Sequence, residues 1–261
     1  FKMSEKDRHE LWLAGLLHDC GKITTPVHVI EKATKLETIT DRIHTIDTRF
    51  EILKRDAEIR FLREQIKNPN NASSLVSLQE ELAQLNEDRD FLRKANIGAE
   101  RMSAEDIGRV LSIAKYRWVG VDGIEKDLLT QEEINNLTIC GGTLTLEERK
   151  IINNHISVTI QMLEALPWPK HLKNVPEYAG GHHERMDGKG YPRGLRGEQM
   201  SVQARVMAIA DIFEALSAKD RPYKHGKNLT ESLEILGKFS LGGHIDPDLF
   251  DVFVRQGVYL E

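Results

Sequence analysis

Six polar residues of this chain stand within or at the ends of apolar, helix-forming segments, where folding should bury them. A carboxylate or an imidazole in such surroundings is costly unless it is paired or bound to a metal. Taken singly, each would be a satisfied core or cap residue; taken together, they indicate a metal site. The six residues are His18, Asp19, His155, His182, His183 and Asp211. Four imidazoles and two carboxylates suit divalent iron, manganese, zinc or nickel better than calcium or magnesium, which prefer oxygen ligands.

Two carboxylates also allow one of them to bridge two metals. Paired metals about 3.5–4 Å apart are a common device for hydrolysing phosphodiesters. In that chemistry a metal-bound hydroxide attacks phosphorus, and both cations take up the charge that develops on the phosphoryl oxygens. Lys22 follows Asp19, and Gly21 between them lets the chain leave its helix. We therefore expect Lys22 to clamp a phosphate or to protonate the leaving oxygen, with a solvated helix-end lysine as the alternative.

The segment GGHHERMDGKGYP, residues 180–192, places two histidines side by side before a glycine-rich loop. Neighbouring side chains point about 100° apart in a helix and to opposite faces in a strand. Both imidazoles can nevertheless reach a group that lies at the end of an element. Tyr191 either stacks on a base of a bound nucleotide or packs as a loop anchor. We expect Glu184 and Asp187 to hold the loop together rather than to bind metal.

The sequence predicts helices almost throughout, and hence an all-α fold. Ser4 with Asp7 is expected to cap a first helix, and the leucines on several of its faces predict its burial down to Gly21. Capping boxes predict further helices from about residues 104, 131 and 146, the last running without interruption to Pro167. Three more helices are expected after the glycine-rich loop, and the first of them carries the candidate aspartate.

Residues 36–141 have a different character. Their apolar residues at three- and four-residue steps predict a helix over residues 41–66, and a leucine heptad predicts a second helix after the turn NPNNAS, residues 68–73. The apolar positions are Ile43, Ile46, Phe50, Leu53 and Ala57, then Leu75, Leu78, Leu82, Leu85 and Leu92. Two long helices joined by a short turn should form an antiparallel hairpin. It is either a solvated arm or an arm that pairs with a second subunit or a signalling partner.

Composition narrows the class of protein. The chain has 261 residues, 40% hydrophobic and 30% charged, with a net charge of −5. That charge does not favour binding to DNA or to an acidic membrane surface. Two cysteines give no disulfide framework and indicate a reducing compartment, so we expect a cytoplasmic location. The first residue is Phe1, which suggests a piece of a longer protein with a sensory or membrane-anchored part upstream.

These residues carry a resemblance to a known family. HDCGKI, residues 18–23, resembles the HD phosphohydrolase signature, and HHERMDGKGYP, residues 182–192, is nearly the whole of the HD-GYP signature. The pieces LTLEERKIINNH, ARVMAIADIFEALSA, DRPYK and GGHIDP fit in order. HDxGK alone should occur by chance in about one chain in a thousand, and the second motif removes chance as a rival. The resemblance covers residues 1–35 and 142–261, which we interpret as one catalytic domain with residues 36–141 inserted into it.

The resemblance implies an all-helical bundle with two or three divalent metals, iron or manganese foremost and zinc or nickel left open. Members hydrolyse 3′,5′-cyclic dinucleotides, chiefly cyclic di-GMP, to the linear dinucleotide and sometimes on to mononucleotides. The family's metal ligands fall on the six residues named first, and its active-site lysine falls on Lys22. Its substrate-contacting arginine and lysine fall on Arg221 and Lys224. A subset of the family prefers 3′,3′-cyclic GMP-AMP, and nothing in the sequence decides between the two substrates.

The sequence departs from the family pattern in two ways. The family has a glutamate and a histidine upstream of HD, whereas His9 is the only histidine before His18 and is expected on the surface. That departure leaves the metal count at two or three. The inserted residues 36–141 replace a short connection and are expected to support a homodimer. The alternative to an enzyme is a non-catalytic cyclic-dinucleotide receptor or protein-interaction module, which would usually have lost ligands that this chain retains.

Overall fold

The computed structural model describes residues 3–69, 73–98, 101–218 and 226–260. The fold in these ranges is mostly helical, as predicted, with one short pair of antiparallel strands. The chain divides into two compact units, residues 1–26 with 149–261 and residues 27–148. The sequence placed the domain boundaries at residues 36 and 141 instead, and the assignment of a catalytic domain and an inserted arm stays a prediction.

The elements follow one another along the described chain. The helices are α1 (Glu5–Leu17), α2 (Val27–Ile30), α3 (Ile43–Lys67), α4 (Ser73–Asn96), α5 (Ala104–Ile113), α6 (Gln131–Leu137), α7 (Leu146–Asn153), α8 (His155–Glu164), α9 (Val175–Gly180), α10 (Val202–Ser217), α11 (Leu229–Leu241) and α12 (Pro247–Arg255). The strands are β1 (Arg117–Val119) and β2 (Glu125–Asp127), and 3₁₀ turns lie at Cys20–Thr24, Gly197–Gln199 and Val258–Leu260.

The first unit, residues 1–26 with 149–261, packs its helices around two apolar clusters. One cluster joins α1, α8, α9 and α10, and the other joins α10, α11 and α12. The capping box of Ser4 and Asp7 begins α1, as predicted. The expected burial of α1 on several faces is wrong, because Trp12 is 59% exposed and Leu16 is 62% exposed. The helix also ends at Leu17, and a separate 3₁₀ turn carries the chain past Gly21.

The single helix predicted from residue 146 to Pro167 is broken at Asn154. The backbone N–H of Asn154 is shared between the carbonyls of Lys150 and Ile151, at 3.1 and 3.2 Å. Such sharing tightens the last turn of a helix toward 3₁₀ geometry. His155 therefore becomes the first residue of α8 rather than a residue inside a longer helix.

The second unit, residues 27–148, contains the predicted hairpin. Helices α3 and α4 pack against each other, and Ile46, Phe50 and Leu92 are fully buried at its base. Toward its tip the seam is open to solvent, with Leu75 48% exposed. Residues 70–72 of the predicted turn lie outside the described residues. Capping boxes begin α5 and α6, as predicted, while the strand pair β1–β2 was not predicted.

No helix among the described residues is both long enough and apolar enough to cross a membrane.

Candidate metal centre

The six residues predicted as metal ligands lie together within the first unit. They are His18 and Asp19 after α1, His155 at the start of α8, His182 and His183 after α9, and Asp211 within α10. They are separated by up to 193 positions in the sequence. Only the packing of four helices brings them into contact.

The close approach of the 3₁₀ turn to α8 depends on Gly21. A Cβ at Gly21 would lie 2.1 Å from the carbonyl oxygen of His155 and 2.6 Å from the backbone nitrogen of Thr159. The backbone N–H of Gly21 also donates to Thr159 Oγ1 at 2.9 Å. From the sequence, Gly21 was predicted to let the chain leave the helix. Its φ is not positive, and its role in the structure is to let two backbones approach.

Three of the four histidines share one arrangement of hydrogen bonds. Nδ1 of His18 lies 2.6 Å from the carbonyl oxygen of Gly15, and Nδ1 of His182 lies 2.6 Å from that of Ala179. His155 makes the same contact with Ile152. Because a carbonyl oxygen can only accept, Nδ1 must donate in each case. In the neutral imidazole this leaves Nε2 with a free lone pair, which is the tautomer that a metal ligand needs.

The ligand atoms form two groups that share His182. One group consists of His155, His182 and His183, and the other of His18, Asp19 and His182, with the ligand atoms of each group within 4.8 Å of one another. The two carboxylate oxygens of Asp19 face different histidines. Oδ1 lies 3.1 Å from His155 Nε2, whereas Oδ2 lies 3.2 Å from His18 Nε2. Asp211 approaches the second group, with Oδ1 3.7 Å from His18 Nε2.

Unsatisfied buried atoms indicate that this cluster fits a cation. Asp19 Oδ1, His155 Nε2 and His182 Nε2 are buried and make no well-aligned hydrogen bond with any described residue. The contact between Asp19 Oδ1 and His155 Nε2 is close enough for an ion pair, but its geometry does not make a hydrogen bond. Buried polar atoms without partners are rare in folded proteins and call for an explanation. The cluster could hold a divalent metal, and imidazole nitrogens with carboxylate oxygens are ligands that transition metals accept.

The charges of the cluster are strongly interdependent. Close contacts with the carboxylates of Asp19 and then Asp211 raise the pKa of His18 to about 10. Burial raises the pKa of Asp19, but close polar contacts with His155, His18 and Lys22 outweigh it and lower that pKa overall. Burial lowers the pKa of His182. Burial, followed by the charge of the neighbouring His182, lowers the pKa of His183 to about 3. The site therefore keeps Asp19 ionised and His182 and His183 neutral, as cation binding requires, whereas His18 carries a proton that a bound cation would displace.

Lys22 lies beside the cluster. Its Nζ donates to Asp19 Oδ2 at 2.5 Å, and its side chain is 39% exposed. The ammonium group thus contacts both solvent and a candidate ligand. A substrate could therefore reach the ammonium group beside the cluster. A solvated helix-end lysine would instead point away from the cluster.

The glycine-rich loop after His183 is held by two carboxylates. Glu184 is 1% exposed and accepts hydrogen bonds from the backbone nitrogens of Arg193 and Leu195, at 2.7 and 2.8 Å. Asp187 forms an ion pair with Arg185 at 2.8 Å. Both carboxylates therefore bind the loop, in line with the expectation from the sequence.

Tyr191 of this loop lies against the cluster. Its ring stacks on the imidazole of His183, with centroids 4.8 Å apart and planes at 18°. Burial, followed by the charges of Asp211 and Asp19, raises the pKa of Tyr191 to about 12. One face of the ring is thus occupied within the protein, so Tyr191 serves as a loop anchor here. Its predicted contact with a nucleotide base stays a prediction for the other face.

The sequence did not single out Glu10, a buried carboxylate on α1. Glu10 is 4% exposed and accepts from the backbone nitrogen of Asn174 at 2.6 Å, which satisfies the start of α9. Helix α9 leads directly to the adjacent histidines. A signal was present, because Glu10, Ala14 and His18 recur every four residues and therefore share one helix face.

The two substrate contacts predicted from the resemblance, Arg221 and Lys224, lie outside the described residues. The exposed position expected for His9 is confirmed, and its ring stacks on that of Trp12 at 5.8 Å.

Two protein-family models, each described as an HD domain, match residues 2–107 and residues 131–249. The first match includes His18 and Asp19, and the second includes His155, the adjacent histidines and Asp211. Over most of its length this chain is similar to HD domains.

Several curated bacterial proteins resemble the chain. A 3′3′-cGAMP-specific phosphodiesterase of Vibrio cholerae is 47% identical over 82 residues, which are 31% of this chain and 19% of that protein. A cyclic di-GMP phosphodiesterase of Pseudomonas aeruginosa is 46% identical over 79 residues, 30% of this chain and 18% of that protein. A cyclic di-GMP phosphodiesterase of Thermotoga maritima is 35% identical over 114 residues, 44% of this chain and 30% of that protein. The matched part of the chain spans less than a third of each of these relatives.

Proposed function

We propose that this chain carries the catalytic centre of a metal-dependent phosphodiesterase, of HD-GYP type, that hydrolyses 3′,5′-cyclic dinucleotides to linear dinucleotides. One observation carries the proposal: two ligand groups share His182, and the two oxygens of Asp19 face one histidine of each group. That arrangement suits a carboxylate that bridges two cations. The names of the relatives support the substrate class, and both cyclic di-GMP and cyclic GMP-AMP are represented among them.

The proposed ligands are the six clustered residues, and the proposed metals are two or three divalent ions, iron or manganese foremost. Such ions would supply a Lewis acid that polarises the phosphoryl group and activates water for attack on phosphorus. The protein contributes the fixed ring orientations of His18, His155 and His182, in which Nδ1 is held by a backbone carbonyl and Nε2 faces the cluster. This preorganisation reduces the rearrangement that binding would otherwise require.

Lys22 is the proposed partner of the reacting phosphodiester. Its ammonium group is held at Asp19 Oδ2 and remains partly exposed. When Asp19 is neutralised by cations, the ammonium is free to bind a nonbridging phosphate oxygen or to protonate the leaving oxygen. Arg221, Lys224 and the free face of Tyr191 are the proposed contacts to the rest of the nucleotide. The guanidinium fork of Arg221 suits a phosphate or a guanine edge.

Hydrolysis of two nucleotides by the metal-loaded protein tests the proposal. Cyclic di-GMP and 3′,3′-cyclic GMP-AMP would be incubated side by side with iron- or manganese-loaded protein, and the products resolved by chromatography. We expect turnover of at least one substrate, and its loss in a variant with His18→Ala and Asp19→Ala. His171→Ala, which removes an exposed histidine of the same unit, is the matched control. Bound metal without turnover of either nucleotide would refute the enzyme and favour the receptor.

We further propose that the hairpin pairs two copies of the chain. Its outer half exposes an apolar stripe on α3, formed by Ile59, Leu62 and Ile66, beside Leu75 and Val76 on α4. Their exposed fractions range from 43% to 81%. Charged residues of both signs flank the stripe, as in helices that pair with a second helix.

Light scattering of the intact protein tests the pairing. Deleting the whole hairpin would also remove Phe50 and Leu92 from the core of the second unit, so point substitutions are the sharper test. Leu62→Glu combined with Ile66→Glu should convert a dimer to a monomer. A monomeric parent chain, or a variant that remains dimeric, would contradict the proposal.

A further inference from the structure

His183 is held differently from the other histidines of the cluster. His18, His155 and His182 each donate from Nδ1 to the carbonyl oxygen three residues earlier. Among the described residues, the ring of His183 makes no hydrogen bond. Among the described ring contacts of His183, those with His182 and His155 are tilted or edge-on, with centroids 4.3 and 5.4 Å apart. The contact with Tyr191 is the near-parallel one, with centroids 4.8 Å apart and planes at 18°. The orientation of His183 therefore depends on ring packing, in which Tyr191 supplies the face-to-face contact, whereas the other three imidazoles are held by backbone carbonyls.

Tyr191 can act in this way only if the loop returns to His183 in one fixed conformation. The backbone N–H of Tyr191 donates to the carbonyl oxygen of His183 at 3.2 Å. The preceding residue, Gly190, packs so closely that a Cβ would lie 2.5 Å from Glu184 Cα and from the nitrogen of Arg185. The return of the loop is thus a tight backbone contact next to a candidate ligand.

Glu184 closes the loop beyond Tyr191. Its two carboxylate oxygens each accept one backbone N–H, Oε1 from Arg193 at 2.7 Å and Oε2 from Leu195 at 2.8 Å. The side chain is 1% exposed, so these bonds replace water entirely. Hydrogen bonds to an ionised carboxylate are about twice as strong as neutral ones. The carboxylate follows His183 directly in the sequence, and it fixes the chain on the far side of Tyr191.

We infer that Glu184 is a positioning residue for His183, acting through the loop that holds Tyr191 flat against the imidazole. Glu184 orients a ligand without binding the metal itself. The inference rests on the proposed metal site for its function, but the orientation of His183 is measurable without metal. Losing an orienting partner of a metal ligand typically weakens metal affinity about 10- to 100-fold.

Paired variants distinguish the contribution of the Tyr191 ring from that of the Glu184 hydrogen bonds that close the loop. Glu184→Gln keeps the size of the side chain but replaces one acceptor oxygen with a donor, which opposes a backbone N–H. Tyr191→Ala removes the stack, whereas Tyr191→Phe keeps the ring face. Glu198→Gln, an exposed glutamate of the same segment, is the matched control.

The first measurement uses the metal-free protein. A ring stacked on His183 shifts the imidazole proton resonances, and NMR detects that shift. We expect Tyr191→Ala to abolish the shift, Glu184→Gln to reduce it, and Tyr191→Phe and Glu198→Gln to retain it. An unchanged His183 resonance in Glu184→Gln would overturn the inference whatever the protein's activity. If Glu184→Gln does not fold, the test uses Tyr191→Ala alone. A His183 resonance that is the same in Tyr191→Ala as in the parent chain would also overturn the inference.

The second measurement is the affinity for manganese, determined by titrating the metal into each protein. We expect Tyr191→Ala and Glu184→Gln to weaken the ion held by His155, His182 and His183 about 10- to 100-fold. Tyr191→Phe and Glu198→Gln should bind as the parent chain does. Equal affinity in all variants would overturn the inference, whereas a parent chain that binds no manganese would refute the proposed function instead.

Discussion

Gly21→Ala is the substitution that most directly tests how the fold builds the cluster. The added Cβ would lie 2.1 Å from the carbonyl oxygen of His155, where ordinary contacts begin at 3.4 Å. The 3₁₀ turn and α8 must therefore separate by more than 1 Å. Asp19 precedes this turn and lies only 3.1 Å from His155 Nε2, so the separation would pull the two apart.

The expected cost has two parts. Overpacking of this kind costs about 1–3 kcal/mol, and the hydrogen bond from Gly21 to Thr159 contributes about another 1 kcal/mol. We expect the free energy of unfolding to fall by about 2–4 kcal/mol in denaturant titrations. Manganese affinity should fall at least tenfold, since a shift of this size disrupts the ligand geometry.

Gly237→Ala is the matched control for this experiment. Gly237 lies in α11 of the same unit, and its added Cβ would meet Phe250 at an ordinary 3.9 Å. A helix interior gains up to about 1 kcal/mol from this change. The reasoning would be refuted if Gly21→Ala unfolded and bound manganese as the control does.

Two further predictions concern the second unit. Tyr116→Phe should lower the free energy of unfolding by about 1.5–3 kcal/mol, because the hydroxyl donates at 2.6 Å to the buried carboxylate of Asp88. Tyr259→Phe is the control. Equal denaturation midpoints for the two variants would contradict the prediction. Burial raises the pKa of Glu148. The hydrogen bonds that its carboxylate accepts from Lys32 and from the backbone N–H of Thr145 outweigh burial and lower that pKa overall. The stability that this group contributes is therefore present above about pH 4.3 and is lost as the pH falls through the lowered native pKa. Unfolding measured between about pH 5 and pH 3 should show a smaller acid dependence in Glu148→Gln, and identical slopes would exclude the assignment.

Local signals predicted the elements well. A cap needs only residues three positions apart, so the helix starts at Ser4, Ser103 and Thr130 were readable from the sequence. The apolar repeat likewise predicted the hairpin, because a helix face is set by spacing alone. The break at Asn154 was missed because no cap or proline marks it. The strand pair was missed although Gly120 and the Asp122-Gly123 pair mark its turn.

The sequence by itself predicted which residues would come together as a candidate site. Imidazoles and carboxylates within apolar helices are costly unless they bind something, and that cost is a property of residue type and local context. The six candidates follow from it, Lys22 was predicted from its place after Asp19 and Gly21, and all seven lie at the cluster.

Only the tertiary structure decided how these groups face one another. The division of Asp19 between two histidines, the stack of Tyr191 on His183 and the contact of Gly21 with α8 all depend on how the chain folds back on itself. Glu10 likewise became a cap for α9 only when α1 packed beside it. Spacing along a chain fixes directions within one helix, but distances between helices depend on packing over the whole unit.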